Sequence, residues 1–231
     1  MVLFQRRMIS NEDWKDRNPV TCATSLRWSS NLTCPVGLKK RDFELPRFIF
    51  LTDERRVTNP VAVARSMPTN SAIIIRGKNL DILKPQIAAV QPVCASRGLT
   101  LLATVSPEMA VSLGLDGIHL SEAQVRRSGG AVSRFAENWV VTAAAHTVTA
   151  VRRARKLGVD RILISPVFST VSHTGANTLG VMGYRKLAKH APSLACPLGG
   201  ITPRTLTSLK GAPIAGIAGI EVFLDQAGLT G

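Results

Sequence analysis

The chain has 231 residues, of which 45% are hydrophobic, and its 29 Lys and Arg against 15 Asp and Glu give a formal net charge of +14 at pH 7. With a mean hydropathy of +0.14, this is typical of a globular protein, and no apolar stretch approaches the roughly 18–20 residues that span a bilayer. The composition excludes a membrane-spanning protein, and an N-terminus that acids and amides interrupt early predicts a cytoplasmic location without a signal peptide.

The positive charge does not lie in a terminal tail. Residues 1–45 contain eight Lys or Arg and five Asp or Glu, a net of +3, and the rest of the chain carries the other +11. These cations are scattered without interleaved aromatic residues, and the chain has one Tyr. We therefore expect no nucleic-acid partner. A solvated basic surface and a general attraction for anionic small molecules are both compatible with this charge.

Residues 1–45 form a separate first segment. They mix Trp, Asn, Ser and charged residues without sustained apolar periodicity, which predicts an irregular or disordered extension that does not carry the function. Cys22 and Cys34 lie in this extension, whereas Cys94 and Cys196 lie in apolar patterns typical of small buried thiols. No CxxC or His/Cys spacing indicates a metal site.

From Pro46 onward, short apolar runs alternate with helix-like patterns. The runs start roughly 17 to 33 residues apart, which leaves room for a strand, a loop and a helix each. Helix signals stand between them, at Ser106-Pro107-Glu108, at Gly158 and at Thr202-Pro203. The eight runs are Phe48–Thr52, Ala72–Arg76, Thr100–Thr104, Gly117–Leu120, Trp139–Thr142, Arg161–Ser165, Leu194–Leu198 and Ala215–Ile220.

Eight buried strands that alternate with helices predict a closed α/β barrel, the (β/α)8 or TIM barrel, over residues 46–231. An open doubly wound sheet is the rival fold. It is disfavoured because no GxGxxG follows the first apolar run.

In such a barrel the functional residues lie where the strands end. Arg76 and Lys78 follow the second run and offer two cations suited to a phosphate or diphosphate, or else they are simply solvated. His146 follows the fifth run, where an imidazole could act as acid or base near neutral pH. His119 lies inside an apolar run and is interpreted as a core or supporting histidine.

Gly199-Gly200 ends the seventh run, and two glycines let the backbone approach a ligand closely. The loops after the seventh and eighth strands of a barrel commonly bind phosphate. The pair on its own is equally compatible with a plain turn.

Five segments, in order, resemble motifs of the thiamine-phosphate synthase/TenI superfamily. The matched segments are Phe50–Asp53 with "LVTDR", Leu113–Leu120 with "VGADGVHLG", Ser165–Thr170 with "GPVFPT", Leu179-Gly180 with "PLG" and Gly199–Pro203 with "GGITP". Together they span about Pro46 to Phe223. The resemblance implies a (β/α)8 barrel whose partner is a phosphorylated small molecule, either a thiazole phosphate or a pyrimidine diphosphate, and it leaves a homo-oligomer open.

The resemblance and the strand ends together give a set of site residues. His146 is the expected catalytic acid and base. The expected substrate-binding residues are Arg76, Lys78, Thr104, Ser165, Thr170, His173, Gly199, Gly200, Gly219 and Ile220.

The chain departs from the synthase motifs at four polar positions. The glutamine of "QLREKD" is Ile74, and the lysine of "PTxTK" corresponds to His173. The two aspartates that hold Mg²⁺ in the synthases are absent, because Thr104-Val105-Ser106 and Gln124 stand at their positions. Since Mg²⁺ favours carboxylate and phosphate oxygens, we expect no resident metal and no required cofactor. A bound Mg²⁺ is the alternative.

These departures leave three hypotheses for the function. The resemblance to the TenI branch implies a thiazole tautomerase, an isomerase that moves one proton and needs no metal. The synthase branch implies a transferase that joins pyrimidine diphosphate to thiazole phosphate. A degenerate barrel that only binds or senses a ligand is the third, and the missing carboxylates favour the first over the second.

Overall fold

The computed structural model describes residues 44–53, 59–129, 132, 139–170 and 177–229. Its strands coincide with the eight predicted apolar runs, to within a few residues at their ends. They are β1 (Phe48–Leu51), β2 (Ser71–Ile75), β3 (Thr100–Ala103), β4 (Gly117–Leu120), β5 (Val140–Ala145), β6 (Arg161–Ile164), β7 (Ala195–Pro197) and β8 (Ile217–Gly219).

The strands form one parallel sheet that curls into a barrel. Each strand from β1 to β6 pairs with the next along the chain, and β8 pairs with β1, so that Phe50 lies opposite Gly219. The remaining seam is bridged where the Ala215 amide donates to the Ala195 carbonyl oxygen at 2.8 Å. The predicted (β/α)8 barrel is confirmed, and the open doubly wound sheet is not found.

Helices separate the strands, and several begin at the signals found in the sequence. Ser106, Thr147 and Thr202 each accept a backbone N–H with the side chain and so cap a helix. In the described ranges the helices are α1 (Pro60–Ser66), α2 (Leu80–Arg97), α3 (Pro107–Ser112), α4 (Glu122–Arg127), α5 (Val148–Lys156), α6 (Gly180–Ala188), α7 (Pro203–Ser208) and α8 (Glu221–Ala227).

The strands alternate between two apolar layers, because successive side chains of a strand point to opposite faces. Ile49, Leu51, Ile74, Leu102 and Leu163 belong to a cluster that fills the barrel interior. The alternate strand residues pack with the helices in a second, larger cluster. Both faces of the sheet are therefore buried, which is why the strands read as nearly continuous apolar runs in the sequence.

A buried arginine closes the amino-terminal end of the barrel. Arg161 is 7% exposed and donates to the carbonyl oxygens of Pro46 (3.1 Å), Leu45 (3.3 Å) and Asp160 (3.0 Å). Burial lowers the pKa of this guanidinium from its ordinary value. These hydrogen bonds hold the segment that leads into β1 against the start of β6.

Two of the four cysteines lie in the described residues. Cys94 and Cys196 are buried free thiols, as the apolar patterns predicted, and burial raises the pKa of each to about 12. Cys22 and Cys34 lie outside the described residues, as does the extension up to residue 43. The extension and its boundary therefore stay predictions, although Leu45 itself packs against the interior cluster.

No helix in the part of the chain that the structure describes combines the length and the apolar character needed to cross a bilayer.

Candidate functional site

A cavity of about 430 Å³ opens at the carboxyl ends of the strands. This is the end of the barrel at which active sites of the fold lie. Eight of the predicted site residues line it, namely Arg76, His146, Ser165, Thr170, Gly199, Gly200, Gly219 and Ile220, together with Asp53, Pro166, Asn177, Leu198, Ile201 and Glu221. The predicted residues thus converge on one cavity, although they come from the ends of five different strands.

His146 follows β5 and is oriented by the loop after β6. Its Nδ1 lies 2.7 Å from the Ser165 carbonyl oxygen and 3.4 Å from the Ser165 hydroxyl. A carbonyl oxygen can only accept, so Nδ1 carries the proton and Nε2 carries the lone pair in the neutral ring. The side chain is exposed to the cavity. This tautomer is the one in which Nε2 can accept a proton.

A carboxylate anchors the backbone of the same histidine. Glu122, the first residue of α4, accepts the His146 amide at 2.7 Å with one oxygen and the Thr147 hydroxyl at 3.4 Å with the other. Thr147 is also the cap of α5. Glu122 therefore fixes the turn in which His146 lies, from a position that the sequence alone did not connect with it.

The Gly199-Gly200 loop packs on the loop after β6. Both glycines have positive φ, +97° and +61°, and a Cβ on Gly200 would overlap the Ser169 carbonyl oxygen and lie 2.8 Å from the Phe168 Cβ. Phe168 in turn donates its amide to the Gly199 carbonyl oxygen at 3.0 Å. The two glycines are required by this close approach of two backbones, while both still line the cavity.

Arg76 lies between β1 and the cavity. Its Nε donates to the Thr52 carbonyl oxygen at 2.9 Å, and its backbone amide donates to the Thr52 hydroxyl at 2.9 Å. One terminal nitrogen lies 3.5 Å from the Asp53 carboxylate. The guanidinium is therefore held in place and partly neutralised before any ligand binds.

The loop after β8 brings another acid to the cavity. Gly219 and Ile220 line it as predicted, and so does Glu221, the first residue of α8. An acid in the first turn of a helix is favoured by the helix dipole. The loop in which we expected Gly219 and Ile220 to bind the substrate is thus followed directly by a carboxylate.

Two predicted residues lie outside the cavity lining, and a third is not described. Lys78 is exposed and does not line the cavity. Thr104 binds Gly77 twice, accepting its amide at 3.1 Å and donating to its carbonyl at 2.9 Å, so it shapes the loop after β2 from outside the lining. His173 lies outside the described residues.

Thr170 lines the cavity, and its hydroxyl is buried with no hydrogen-bond partner among the described residues. A buried hydroxyl without a partner is costly. This position therefore favours a ligand that can hydrogen-bond to it.

His119 is buried inside the barrel, as the sequence indicated. Its Nδ1 lies 2.8 Å from the Thr142 hydroxyl. Burial, and to a smaller extent the Arg76 cation, lower the pKa of His119 to about 3. The ring is neutral at physiological pH and supports the core.

The residues at the two expected Mg²⁺ positions do not fit the ion. The Gln124 amide oxygen accepts from the Ser121 amide and hydroxyl at 2.8 Å and so caps α4, while the Thr104 hydroxyl is engaged with Gly77. Neither supplies the charged oxygen that Mg²⁺ prefers. Across the described ranges, no group of three or more His, Cys, Asp or Glu is placed to hold a metal.

The predicted set of site residues does not include the two acids of the cavity or Glu122. Asp53 stands directly after the first strand and could have been included from its place alone, since strand ends carry the site. Glu221 was not predicted because the apolar, glycine-spaced run that marks this part of the site ends directly before it. No local signal links Glu122 to His146, because the contact joins the start of α4 to the turn after β5.

The structure is a (β/α)8 barrel with a cavity at the carboxyl ends of its strands. A family model described as "Thiamine monophosphate synthase" matches residues 49–223. This span is most of the chain, which therefore belongs to the thiamine monophosphate synthase/TenI family. The predicted resemblance is confirmed.

Individual relatives are distant. A protein from Aquifex aeolicus is 26% identical over 187 residues, which cover 79% of this chain and 100% of the relative. The thiamine-phosphate synthase of Lactococcus lactis is 27% identical over 161 residues, or 66% of this chain and 70% of the relative. The solved thiamine phosphate pyrophosphorylase from Pyrococcus furiosus superposes with a TM-score of 0.57 at 20% identity, covering 79% of this chain and 93% of the other. At this identity the superposition supports the fold.

Proposed function

We propose that this chain acts in thiamine biosynthesis by binding a phosphorylated thiazole in the cavity and moving one proton on its ring. The relatives named thiamine-phosphate synthase support the pathway and the phosphorylated substrate class. The choice of a tautomerase-type proton transfer rests on the site itself.

The observation that carries this proposal is the 2.7 Å contact between His146 Nδ1 and the Ser165 carbonyl oxygen. It leaves Nε2 as the basic nitrogen of a ring that lines the cavity. In the proposed reaction Nε2 takes a proton from a ring carbon of the thiazole, and the electron pair of that C–H bond moves into the ring. The imidazolium then returns the proton to a second position, so that substrate and product have the same composition.

The rest of the lining would hold the substrate in place. Backbone amides of the Gly199-Gly200 loop and the Thr170 hydroxyl offer hydrogen bonds to a phosphate, and Arg76 offers a cation. Neither metal nor cofactor enters this reaction, which agrees with the poor fit of Thr104 and Gln124 to Mg²⁺.

The test follows the tautomerisation of the carboxylated thiazole phosphate by absorbance, with the wild type and His146→Ala. We expect the variant to lose at least about a hundredfold in kcat, the contribution of a general acid and base. His190→Ala, which changes a histidine outside the cavity lining, is the matched control and should keep the full rate. Equal rates for wild type and His146→Ala would remove His146 from this role.

Thiamine-phosphate synthase activity is the second candidate, because curated relatives carry that name. It would join pyrimidine diphosphate to thiazole phosphate with release of pyrophosphate. Mixing both substrates with the protein, with and without Mg²⁺, tests it directly. Robust formation of thiamine phosphate would replace the tautomerase proposal.

A further inference from the structure

Strand β2 ends between two threonines, one on each neighbouring strand. Thr52 is the first residue after β1, and Thr104 is the first residue after β3. The Thr52 amide donates to the Ile74 carbonyl oxygen at 2.9 Å, and the Thr104 amide donates to the Ile75 carbonyl oxygen at 3.2 Å. Both amides thus continue the parallel ladder one residue beyond the strands. The next hydrogen bonds of the ladder fall in the loop that carries Arg76.

At this point the threonine hydroxyls take the place of backbone carbonyl oxygens. In a regular parallel ladder the Arg76 amide would donate to the Thr52 carbonyl oxygen, and the Gly77 amide would donate in the same way on the other side. Instead, the Arg76 amide donates to the Thr52 hydroxyl at 2.9 Å. The Gly77 amide donates to the Thr104 hydroxyl at 3.1 Å. The same exchange therefore occurs on both sides of β2.

The exchange allows the Thr52 carbonyl oxygen to bind the side chain of Arg76. Nε of the guanidinium donates to that oxygen at 2.9 Å, and a terminal nitrogen lies 3.5 Å from the Asp53 carboxylate. A guanidinium is planar, so two fixed nitrogens determine the orientation of the whole group. Arg76 lines the cavity, whereas Thr52 is only 2% exposed. A buried threonine thus orients a cation of the site.

We propose that Thr52 is a positioning residue for phosphate binding, and that it acts through Arg76. Its hydroxyl binds the Arg76 amide, so that its carbonyl oxygen holds the Arg76 guanidinium at the cavity. A long side chain that is already ordered loses less conformational entropy when a ligand binds. The inference rests on the proposed function in one respect, which is that the ligand of this cavity carries a phosphate.

The signature of this role is a loss of affinity for phosphorylated ligands with little loss of stability. In Thr52→Val we expect the Arg76 amide to return to the carbonyl oxygen of residue 52, as in a regular ladder. There it competes with Nε, and the guanidinium loses its anchor while the backbone keeps its hydrogen bond. A residue that only supports the fold would instead lower the melting temperature and weaken all ligands alike.

The experiment measures dissociation constants by calorimetry for thiazole phosphate and for the unphosphorylated thiazole alcohol. Thr52→Val should weaken thiazole phosphate about fivefold, leave the alcohol within twofold, and melt close to the wild type. Thr52→Ser retains the hydroxyl and should bind both ligands like the wild type. An unchanged affinity for thiazole phosphate in Thr52→Val, or an equal loss for the two ligands, would contradict the role of Thr52.

Ser71→Ala is the matched control for the loss of a buried hydroxyl. Ser71 is the first residue of β2, at the opposite end of the strand, and its hydroxyl donates to the Pro68 carbonyl oxygen at 2.6 Å. This variant should change the affinity for neither ligand.

A double-mutant cycle decides whether Thr52 acts through Arg76. Arg76→Met keeps an apolar side chain of similar reach and should weaken thiazole phosphate at least about tenfold, because it removes the charged donor. In that background Thr52→Val should cost less than a further twofold, since no guanidinium is left to orient. Additive losses, or an unchanged affinity in Arg76→Met, would overturn the inference.

Thr104→Val keeps the inference testable if Thr52→Val does not fold. Thr104 binds Gly77, the residue after Arg76, and holds the same loop from the other side. Thr104→Val should therefore weaken thiazole phosphate and spare the alcohol. An equal effect on the two ligands would count against the inference here as well.

The kinetics separate this inference from the proposed function. If the wild type tautomerises the substrate, Thr52→Val should raise KM about fivefold and leave kcat unchanged, because Arg76 binds the phosphate and not the reacting ring. If thiazole phosphate does not bind to the wild type, the proposed substrate is wrong, and inorganic pyrophosphate becomes the probe of the same cycle. If neither phosphate compound binds to the wild type, the role of Thr52 is wrong too.

Discussion

The Nδ1 nitrogen of His146 lies 2.7 Å from the Ser165 carbonyl oxygen, so the end of β6 determines the tautomer of a histidine at the end of β5. The two strands are neighbours in the sheet, with Ala145 opposite Ile164. The contact therefore depends on the register of the barrel, and it leaves Nε2 as the ring nitrogen that carries the lone pair.

Glu122 should matter for the rate although it binds the backbone of His146. Glu122→Ala removes the acceptor of the His146 amide and the Thr147 hydroxyl, and the histidine turn loses its anchor. We expect kcat of the proposed tautomerisation to fall about tenfold with KM little changed, because misplacing a catalytic group affects the chemical step.

Glu122→Gln serves as the conservative partner of that variant. Its amide oxygen can still accept the His146 amide, so most of the rate should return. A KM effect alone, or equal losses in the two variants, would contradict this role for Glu122.

Gly200→Ala should destabilise the barrel by more than its backbone angle alone requires. An alanine there adopts a positive φ and also overlaps the Ser169 carbonyl oxygen. Gly98→Ala is the matched control, since Gly98 has a φ of +64° with nothing within 4 Å of the added Cβ. We expect a loss of about 1 kcal/mol for Gly98→Ala and about 2–4 kcal/mol for Gly200→Ala, measured by urea unfolding. Equal losses in the two variants would mean that the Gly199-Gly200 loop shifts to accommodate the added Cβ at no cost in the free energy of unfolding.

The buried His119 should make the protein less stable in acid. Its pKa is about 3 in the folded protein, lowered from 6.5 by burial and then by Arg76. Between these values the unfolded chain binds the proton and the folded chain does not. Stability therefore falls as the pH drops from 6.5 towards 3, by up to about 1.4 kcal/mol per pH unit.

Comparison of the unfolding free energies of wild type and His119→Asn between pH 7 and pH 4 isolates this contribution. The variant should show a shallower slope than the wild type, because it lacks the buried imidazole that binds a proton only on unfolding. Parallel curves for wild type and His119→Asn would contradict the assignment.

Arg161 should be needed for the attachment of the segment before β1. Arg161→Met keeps the apolar stem of the side chain but removes the donors to the Leu45 and Pro46 carbonyl oxygens. Acceptors left without a donor cost about 1–3 kcal/mol each when buried, so the melting temperature should fall by several degrees. Arg152→Met, at an exposed position on α5, should leave it unchanged. Limited proteolysis before Phe48 should accelerate only in Arg161→Met.

Much of the fold could be predicted because its signals are local. The eight apolar runs match β1 to β8, and Ser106 and Thr202 cap helices where the sequence indicated. The site was predicted in part for the same reason, since strand ends can be located in a sequence and a parallel barrel gathers them at one rim. Arg76 and His146 were found in this way.

The remainder of the site depends on contacts between residues far apart in the chain. Arg76 and Lys78 looked equivalent in the sequence, but Thr104 binds Gly77 between them, and Arg76 alone of the pair lines the cavity. Gly199-Gly200 looked like a place for a ligand, and the structure adds a packing reason through Phe168 and Ser169.

By itself the sequence determined that the chain is a (β/α)8 barrel of the thiamine monophosphate synthase/TenI family, because periodicity, caps and motifs are properties of neighbouring residues. Only the tertiary structure decided which charged side chains of the described residues line the cavity and which tautomer His146 adopts. Pairing of β8 with β1 sets Glu221 near Asp53 and Arg76, and pairing of β5 with β6 sets His146 against Ser165. Both relationships arise from strand register. The register pairs distant parts of the chain, and it cannot be recognised from the sequence of either part alone.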